Sequence, residues 1–263
     1  MARGEVARVS TGIEDEGMIR GYTAQQVRDA EKPHLAAGEP LMLRAAHALA
    51  LRIRGLLDER GNATPRVLLL VGSGDNGGDA LFAGAELARA GVSVTVLSVG
   101  SRMHEAGRAA AVAGGAAFAA VDTTPDPGDF GVIVDGILGT GTSAASPALR
   151  GRAREVVLAV LAGLGARLEE EPESSSSSGS GSGSGSGSER PAVVAVDIPS
   201  GIDPDSGAAP DAAVLPADVT VTFGGIKAGL LRGDGARLAG RVELVEIGIE
   251  ADLAAMSPAV ELP

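Results

Sequence analysis

The sequence predicts an α/β fold, with a mainly parallel sheet covered by helices on both faces. Three observations predict it. Strand-like apolar runs alternate with helix-like stripes along most of the chain. The strand runs are biased to Val, Leu, Ile and Ala, which suits strands buried on both faces. Finally, 44% of the 263 residues are hydrophobic but only 2% are aromatic, so aliphatic side chains must fill a core of ample size.

Residues 1–17 carry no periodic apolar pattern and are expected to be disordered. The first fold signal follows Met18, which is expected to be the true start; the domain proper is drawn from 22 to 250, after an extension at 1–21. Thr23-Ala24-Gln25-Gln26 reads as a capping box opening a short helix that Pro33 stops. Pro40 suits the first position of a longer helix, whose stripe of Leu41, Ala45, Leu49, Ile53 and Leu56 ends at Gly61. Strands follow at Val67–Val71, Val92–Val99, Gly131–Asp135, Val193–Asp197, Val219–Phe223 and Val242–Ile247. Helices are expected at Asp79–Ala90, His104–Ala113 and about Pro147–Leu164, and 251–263 is drawn as a tail. Ser174–Ser188 is a serine run followed by strict Gly-Ser alternation. It can bury nothing, so it is expected to be a flexible loop insertion between a helix and a strand of one sheet.

The absence of cysteine excludes disulfides and thiolate metal sites. A net charge of −12 argues against nucleic acid as a partner. No apolar run approaches the roughly 20 residues of a membrane span, and no secretory or transit signal is legible at the N-terminus. The expected location is the cytoplasm. A phosphate-bearing ligand stays open, because free N–H groups at a helix start can hold one.

Three segments carry chemistry. Gly72-Ser73-Gly74-Asp75-Asn76-Gly77-Gly78-Asp79 follows a strand and opens a helix. Its glycines allow close backbone approach, and the helix start offers unpaired donors. Formally it contains G-x-G-x-x-G, weak alone and open to reading as a tight strand-to-helix turn. A dinucleotide dehydrogenase would also carry an acid about 20 residues on; Leu97-Ser98-Val99-Gly100 has none. The second segment is Asp135-Gly136-Ile137-Leu138-Gly139-Thr140-Gly141, and the third is Asp197-Ile198-Pro199-Ser200-Gly201. In each, an Asp ends a buried strand. A lone Asp there is usually a cap, but parallel strand ends face one crevice, which would gather Asn76, Asp79, Asp135, Asp197 and Ser200. Their oxygens suit a hard cation. His34, His47 and His104 lack ligand spacing and read as structural or surface residues. Lys227 either faces the crevice or is a solvated loop lysine.

From Tyr22 to Ile249, the insertion excepted, these blocks resemble the YjeF N-terminal domain family, the NAD(P)H-hydrate epimerases. The resemblance rests on Tyr22-Thr23-Ala24, the glycine-rich block at 72–79, Asp-Gly-Ile-Leu-Gly-Thr-Gly at 135–141, Asp-Ile-Pro-Ser-Gly at 197–201 and Thr-Phe-Gly-Gly-Ile-Lys at 222–227. Asp75 stands where the family usually has Asn, Ala80 where it has Gly, and the loop at Ser143-Ala144-Ala145 is poorer in glycine.

The resemblance implies a Rossmann-like three-layer αβα sandwich acting as an isomerase on the two C6 epimers of hydrated NADH or NADPH. It implies a potassium ion held by Asn76, Asp135 and Ser200. Substrate contacts carried over are Asp75, Asn76, Gly77, Gly78 and Asp79, then Gly139, Thr140, Gly141, Thr142, Ser143, Ala144 and Ala145, and Asp197. A hydrate dehydratase is the implied functional partner, and a homodimer is left open as the assembly. Inverting C6 requires C–O cleavage and re-addition or ring opening and closure, and either route moves protons. Asp197 and Asp135 are the candidate proton-transfer groups, with Asp197 preferred because the ion would occupy Asp135. The rival readings are a dehydrogenase and a non-catalytic scaffold of the same fold.

The Ser/Gly segment carries the first prediction. A deletion that keeps a few linking residues should leave melting temperature and activity nearly unchanged, because shortening a flexible loop alters closure entropy by only about 1 kcal/mol. A large loss of either would show that the segment is not a passive loop.

Overall fold

The computed structural model describes residues 9–10, 18–61, 65–120, 122–140, 147–170 and 190–263. The expectations for most of 1–17 and for Ser174–Ser188 lie outside these residues. The strands are β1 (Val9–Ser10), β2 (Ile19–Tyr22), β3 (Arg66–Val71), β4 (Ser93–Ser98), β5 (Ala117–Phe118), β6 (Val132–Gly136), β7 (Ala192–Val196), β8 (Val219–Phe223), β9 (Ile226–Lys227), β10 (Arg241–Val245) and β11 (Val260–Leu262). The helices are α1 (Ala24–Ala36), α2 (Leu41–Glu59), α3 (Asp75–Arg89), α4 (Glu105–Gly114), α5 (Gly151–Glu170), α6 (Gly233–Leu238) and α7 (Glu250–Ala254).

The main sheet runs β1-β10-β8-β7-β6-β3-β4-β5. Its seven strands from β10 to β5 are all parallel, and only β1, at the edge, is antiparallel. Chain order reverses between β3 and β6, the switch point at which doubly wound sheets open a crevice beyond their strand ends. Alternate strand residues face opposite layers. Val67, Leu69 and Val71 pack with Leu49, Ile53 and Leu81 of α2 and α3. Leu68, Leu70 and Ile133 pack with Val156, Val157 and Val160 of α5. This is the three-layer αβα sandwich the sequence implies.

Several boundaries differ from expectation. Thr23 caps α1 with both bonds of the capping box, but the helix runs past Pro33 to Ala36. A proline removes one backbone donor; the later turn survives because Ala37 N–H still reaches the Pro33 carbonyl, and the chain turns off at Gly38, φ 78°. Helix α3 starts at Asp75, four residues before the expected Asp79, so the glycine-rich block is partly its first turn. The boundary drawn at Tyr22 falls at the end of strand β2, and the tail forms α7 and β11. A second sheet, β11-β2-β9, ties these ends to the domain, with Tyr22 in register with Lys227. His34 joins α1 to α7 by bonding Glu39 and Asp252, while His104 caps α4 through Gly107 N–H. His47 bonds Glu86 on the surface. All three histidines are structural or surface groups.

Candidate functional site

The glycines of the first block are required mainly by the protein's own packing. A Cβ at Gly72 would sit 1.7 Å from the Ile137 carbonyl oxygen, and one at Gly77 would sit 2.4 Å from the Gly72 oxygen. Gly72 N–H also bonds the Gly136 carbonyl at 3.0 Å. These contacts lock the β3 and β6 ends together and let α3 begin immediately. Gly78 faces Met42 and His104, between helices, and neither Gly77 nor Gly78 lines the crevice. Gly74 is open: a Cβ at that position would meet nothing within 4 Å.

Asp135 and Asp197 end neighbouring strands but do different things. Asp135 is wholly buried and, unlike Asp197, is not among the residues lining the crevice over α3. One carboxylate oxygen accepts from Ser200 Oγ at 2.6 Å and Ile137 N–H at 3.3 Å; the other accepts from Ser200 N–H at 2.8 Å. All three donors are neutral. Burial raises its pKa, and the Ser200 and Ile137 bonds only partly oppose that. Ser200 Oγ accepts from Leu138 N–H at 2.8 Å, and the Asn76 amide donates to the Leu138 and Val196 carbonyls. Asn76, Asp135 and Ser200 thus meet in one oxygen-rich knot beneath the loops.

Asp197 lines the crevice and has φ 66°, the one left-handed non-glycine residue among those described. Asp tolerates this region better than most residues, and such conformations gather at functional sites. Its carboxylate accepts from Lys227 Nζ, Thr222 Oγ1 at 3.1 Å and Phe223 N–H at 3.2 Å. Lys227 is only 2% exposed, and its ammonium also donates to Phe223 O at 2.8 Å and Thr222 Oγ1 at 3.3 Å. Three acceptors therefore meet its three protons. Lys227 is thus a buried, paired lysine at the crevice, not a solvated one. Pairing of β9 with β2 places it there, a contact that local sequence does not announce.

The crevice has two connected parts sharing Asp75, Asn76 and Thr140. The smaller, about 160 Å³, is lined by Glu31, Asp75, Asp79, Asp197 and Lys227, with Phe223 and Met42 as apolar walls. Arg28 reaches across it from α1 to the Thr140 carbonyl at 2.6 Å. The larger, about 750 Å³, lies over Gly72–Asp75, Gly100, Arg102, Gly139 and Arg150. Only the larger falls in the range usual for ligand sites, about 300–1,000 Å³, so the smaller is a charged annex to it. Of the expected contacts, Asp75, Asn76, Asp79, Gly139, Thr140 and Asp197 line these spaces; Gly141, Thr142, Ser143, Ala144 and Ala145 lie outside the described residues. Among the described residues no group of three or more His, Asp or Glu is placed to hold a metal ion.

Fold and site define a Rossmann-like α/β protein with a polar crevice at its topological switch point. The chain belongs to the family described as YjeF-related protein N-terminus, which matches residues 38–229. It is 48% identical over 246 residues to a protein of Clavibacter michiganensis subsp. michiganensis named NAD(P)H-hydrate epimerase, covering 91% of this chain and 94% of that one. It is 37% identical to the Mycobacterium tuberculosis protein named bifunctional NAD(P)H-hydrate repair enzyme Nnr, covering 87% of this chain but 41% of that longer one. The crystal structure of yeast ynu0, YNL200c, shares the fold, with a TM-score of 0.62 at 18% identity, over 80% of this chain and 83% of that one.

Proposed function

We propose that the chain is an NAD(P)H-hydrate epimerase, interconverting the R and S C6 epimers of hydrated NADH or NADPH. The observation that carries this beyond kinship is Asp197, held by Lys227 and opening on a crevice that continues over the glycine loop. The hydrated ring fits the small charged annex, and the rest of the dinucleotide extends into the larger space. Asp75, Asn76 and Thr140 border both spaces, and the loop at 141–145 is taken as part of the substrate contact.

Asp197 is the proton-transfer group in this reading, since Asp135 is turned inward and lines neither space. Asp135, Ser200 and Asn76 suit a potassium ion. Their oxygens are hard ligands, and the buried Asp135 carboxylate has only neutral donors, leaving a charge for a cation to balance. When bound, the ion would fix the two loops below the crevice. A hydrate dehydratase is the functional partner in cofactor repair, in keeping with the bifunctional name of the mycobacterial relative. Among the described residues no helix is long and apolar enough to cross a membrane, and we place the activity in the cytoplasm. The domain drawn from 22 to 250 is extended by the paired strands β2 and β11, with the Ser/Gly segment as a dispensable insertion.

A coupled assay tests the reading. A dehydratase that accepts one epimer is given a mixture of both. Added epimerase should let it consume the whole mixture, whereas consumption that stops at the accepted epimer, on the timescale of spontaneous exchange, contradicts the proposal. Gly139→Ala should weaken this activity sharply. A Cβ there would lie 2.1 Å from Asn76 Oδ1, forcing Asn76 away from the knot, and a misplacement of about 1 Å can cost about 10²-fold in rate. Unchanged turnover in Gly139→Ala would show that Asn76 need not stay where it is.

A further inference from the structure

Asp79 is a buried carboxyl that a contact role alone does not explain. It lies on the second turn of α3, is 6% exposed and borders the annex beside Asp197. Among the described residues its side chain has no hydrogen bond and no ion pair, although buried polar side chains ordinarily find a partner. Lys227, a cation of the annex, spends its protons on Asp197, Thr222 and Phe223. Phe82, one turn further along α3, contacts the His104 ring edge-on and so helps to anchor the helix. An unpartnered acid on a fixed helix, turned into a ligand crevice, is a group waiting for a ligand atom.

The charges around it decide its form. Asp197 faces it from the end of β7, Asp75 from its own helix, Glu31 from α1, and Lys227 from β9. Burial is the largest influence, the three carboxylates add to it, and Lys227 alone opposes; together they hold the carboxyl well above the ordinary carboxylate range. A carboxyl that burial keeps protonated can serve a site as its proton donor.

We propose that Asp79 is the proton donor of the site, working opposite Asp197. The inference rests on the epimerase reading and deepens it. Epimerisation by cleavage and re-addition requires water to leave one face of C6 and return to the other, which calls for proton handling on both faces. In the first step the C6–O bond breaks with its electron pair on oxygen, which takes the Asp79 proton and leaves as water. The ring-nitrogen lone pair forms the C6=N bond. In the second step a water oxygen bonds to C6 from the other face, one of its protons passes to Asp197, and the C=N pair returns to nitrogen. One proton has moved from Asp79 to Asp197; turnover of the opposite epimer, or exchange with water, restores both. The first step needs a carboxyl that still carries its proton, because hydroxide is a poor leaving group, and the second needs a carboxylate to take a proton from the incoming water.

The test is the pH dependence of kcat and kcat/KM on purified single epimers, for the wild-type chain, Asp79→Asn and Asp79→Glu. The wild type should lose activity on the alkaline side as Asp79 gives up its proton. Asp79→Asn should lower kcat by about 10²–10⁴-fold, change KM little and lose the alkaline limb, while Asp79→Glu should keep the limb. The melting temperature of Asp79→Asn should hold or rise, since no partner is lost. Should Asp79→Asn fail to fold, carboxyl carbon NMR of the wild type decides the matter through a carboxyl that stays protonated at neutral pH and shifts in Asp79→Glu. Normal kcat in Asp79→Asn, or a lowered kcat with the alkaline limb intact, would overturn the assignment. A wild-type chain that fails to interconvert the epimers would instead overturn the epimerase reading, and the proton-donor role with it.

Discussion

Asp197→Asn should lose about 10²–10⁴-fold in turnover, the usual contribution of a positioned acid or base. Asn is close in size and tolerates the left-handed backbone that Asp197 adopts, φ 66°, so the loop should keep its course. The electrostatics will not be so forgiving. Lys227 is buried against this carboxylate, and removing one partner of such a pair costs about 3–5 kcal/mol because the other charge is left unpaired. The single variant should therefore melt at a lower temperature as well as turn over slowly. Combining it with Lys227→Met removes the stranded charge. The double variant should regain much of the melting temperature and none of the activity, which separates proton transfer from support of the fold. Turnover near the wild-type rate in folded Asp197→Asn protein would contradict the role given to Asp197.

Asp135→Asn should give a different loss, one that potassium partly repairs. Asp135 accepts from Ser200 N–H, Ser200 Oγ and Ile137 N–H on its two oxygens. An amide offers one oxygen, so one buried donor is left facing another, at a cost of about 1–3 kcal/mol. The negative charge that suits a cation disappears too. Turnover should fall at low potassium and recover substantially as potassium rises at constant ionic strength. The half-saturating concentration should move up by about tenfold or more, each tenfold being about 1.4 kcal/mol of affinity. Asp197→Asn should show no such recovery. Loss of activity in Asp135→Asn that is independent of potassium would point to a purely structural Asp135.

Much of this architecture is legible in the sequence, for identifiable reasons. The run at Val67–Val71 is unbroken aliphatic and that at Val219–Phe223 is β-branched up to its closing Phe, compositions that suit strands buried on both faces. Strand ends of a parallel sheet lie on one side, so Asn76, Asp135, Asp197 and Ser200 can be grouped without knowledge of any contact. What the sequence hides depends on tertiary packing. Helix α3 begins inside the glycine-rich block because Gly72 and Gly77 pack backbone on backbone, overriding the low helix propensity of glycine. Asp135 and Asp197 look alike in sequence, each closing an apolar strand. They part only because the chain kinks at Asp197 and not at Asp135. The burial of Lys227 depends on β9 pairing with β2, from the opposite end of the chain, and the isolation of Asp79 depends on what the surrounding helices do not supply. Neither leaves a local pattern.

The central claim is that this chain inverts C6 of the hydrated cofactor, and the most direct measurement follows a single purified epimer. The S or R hydrate is incubated with the wild-type chain and potassium, and both epimers are resolved over time by proton NMR or chiral chromatography. From either starting epimer, the same equilibrium mixture should be approached at a rate proportional to protein concentration and far above the spontaneous one. Interconversion no faster than in protein-free buffer, with the chain shown to be folded, would contradict it.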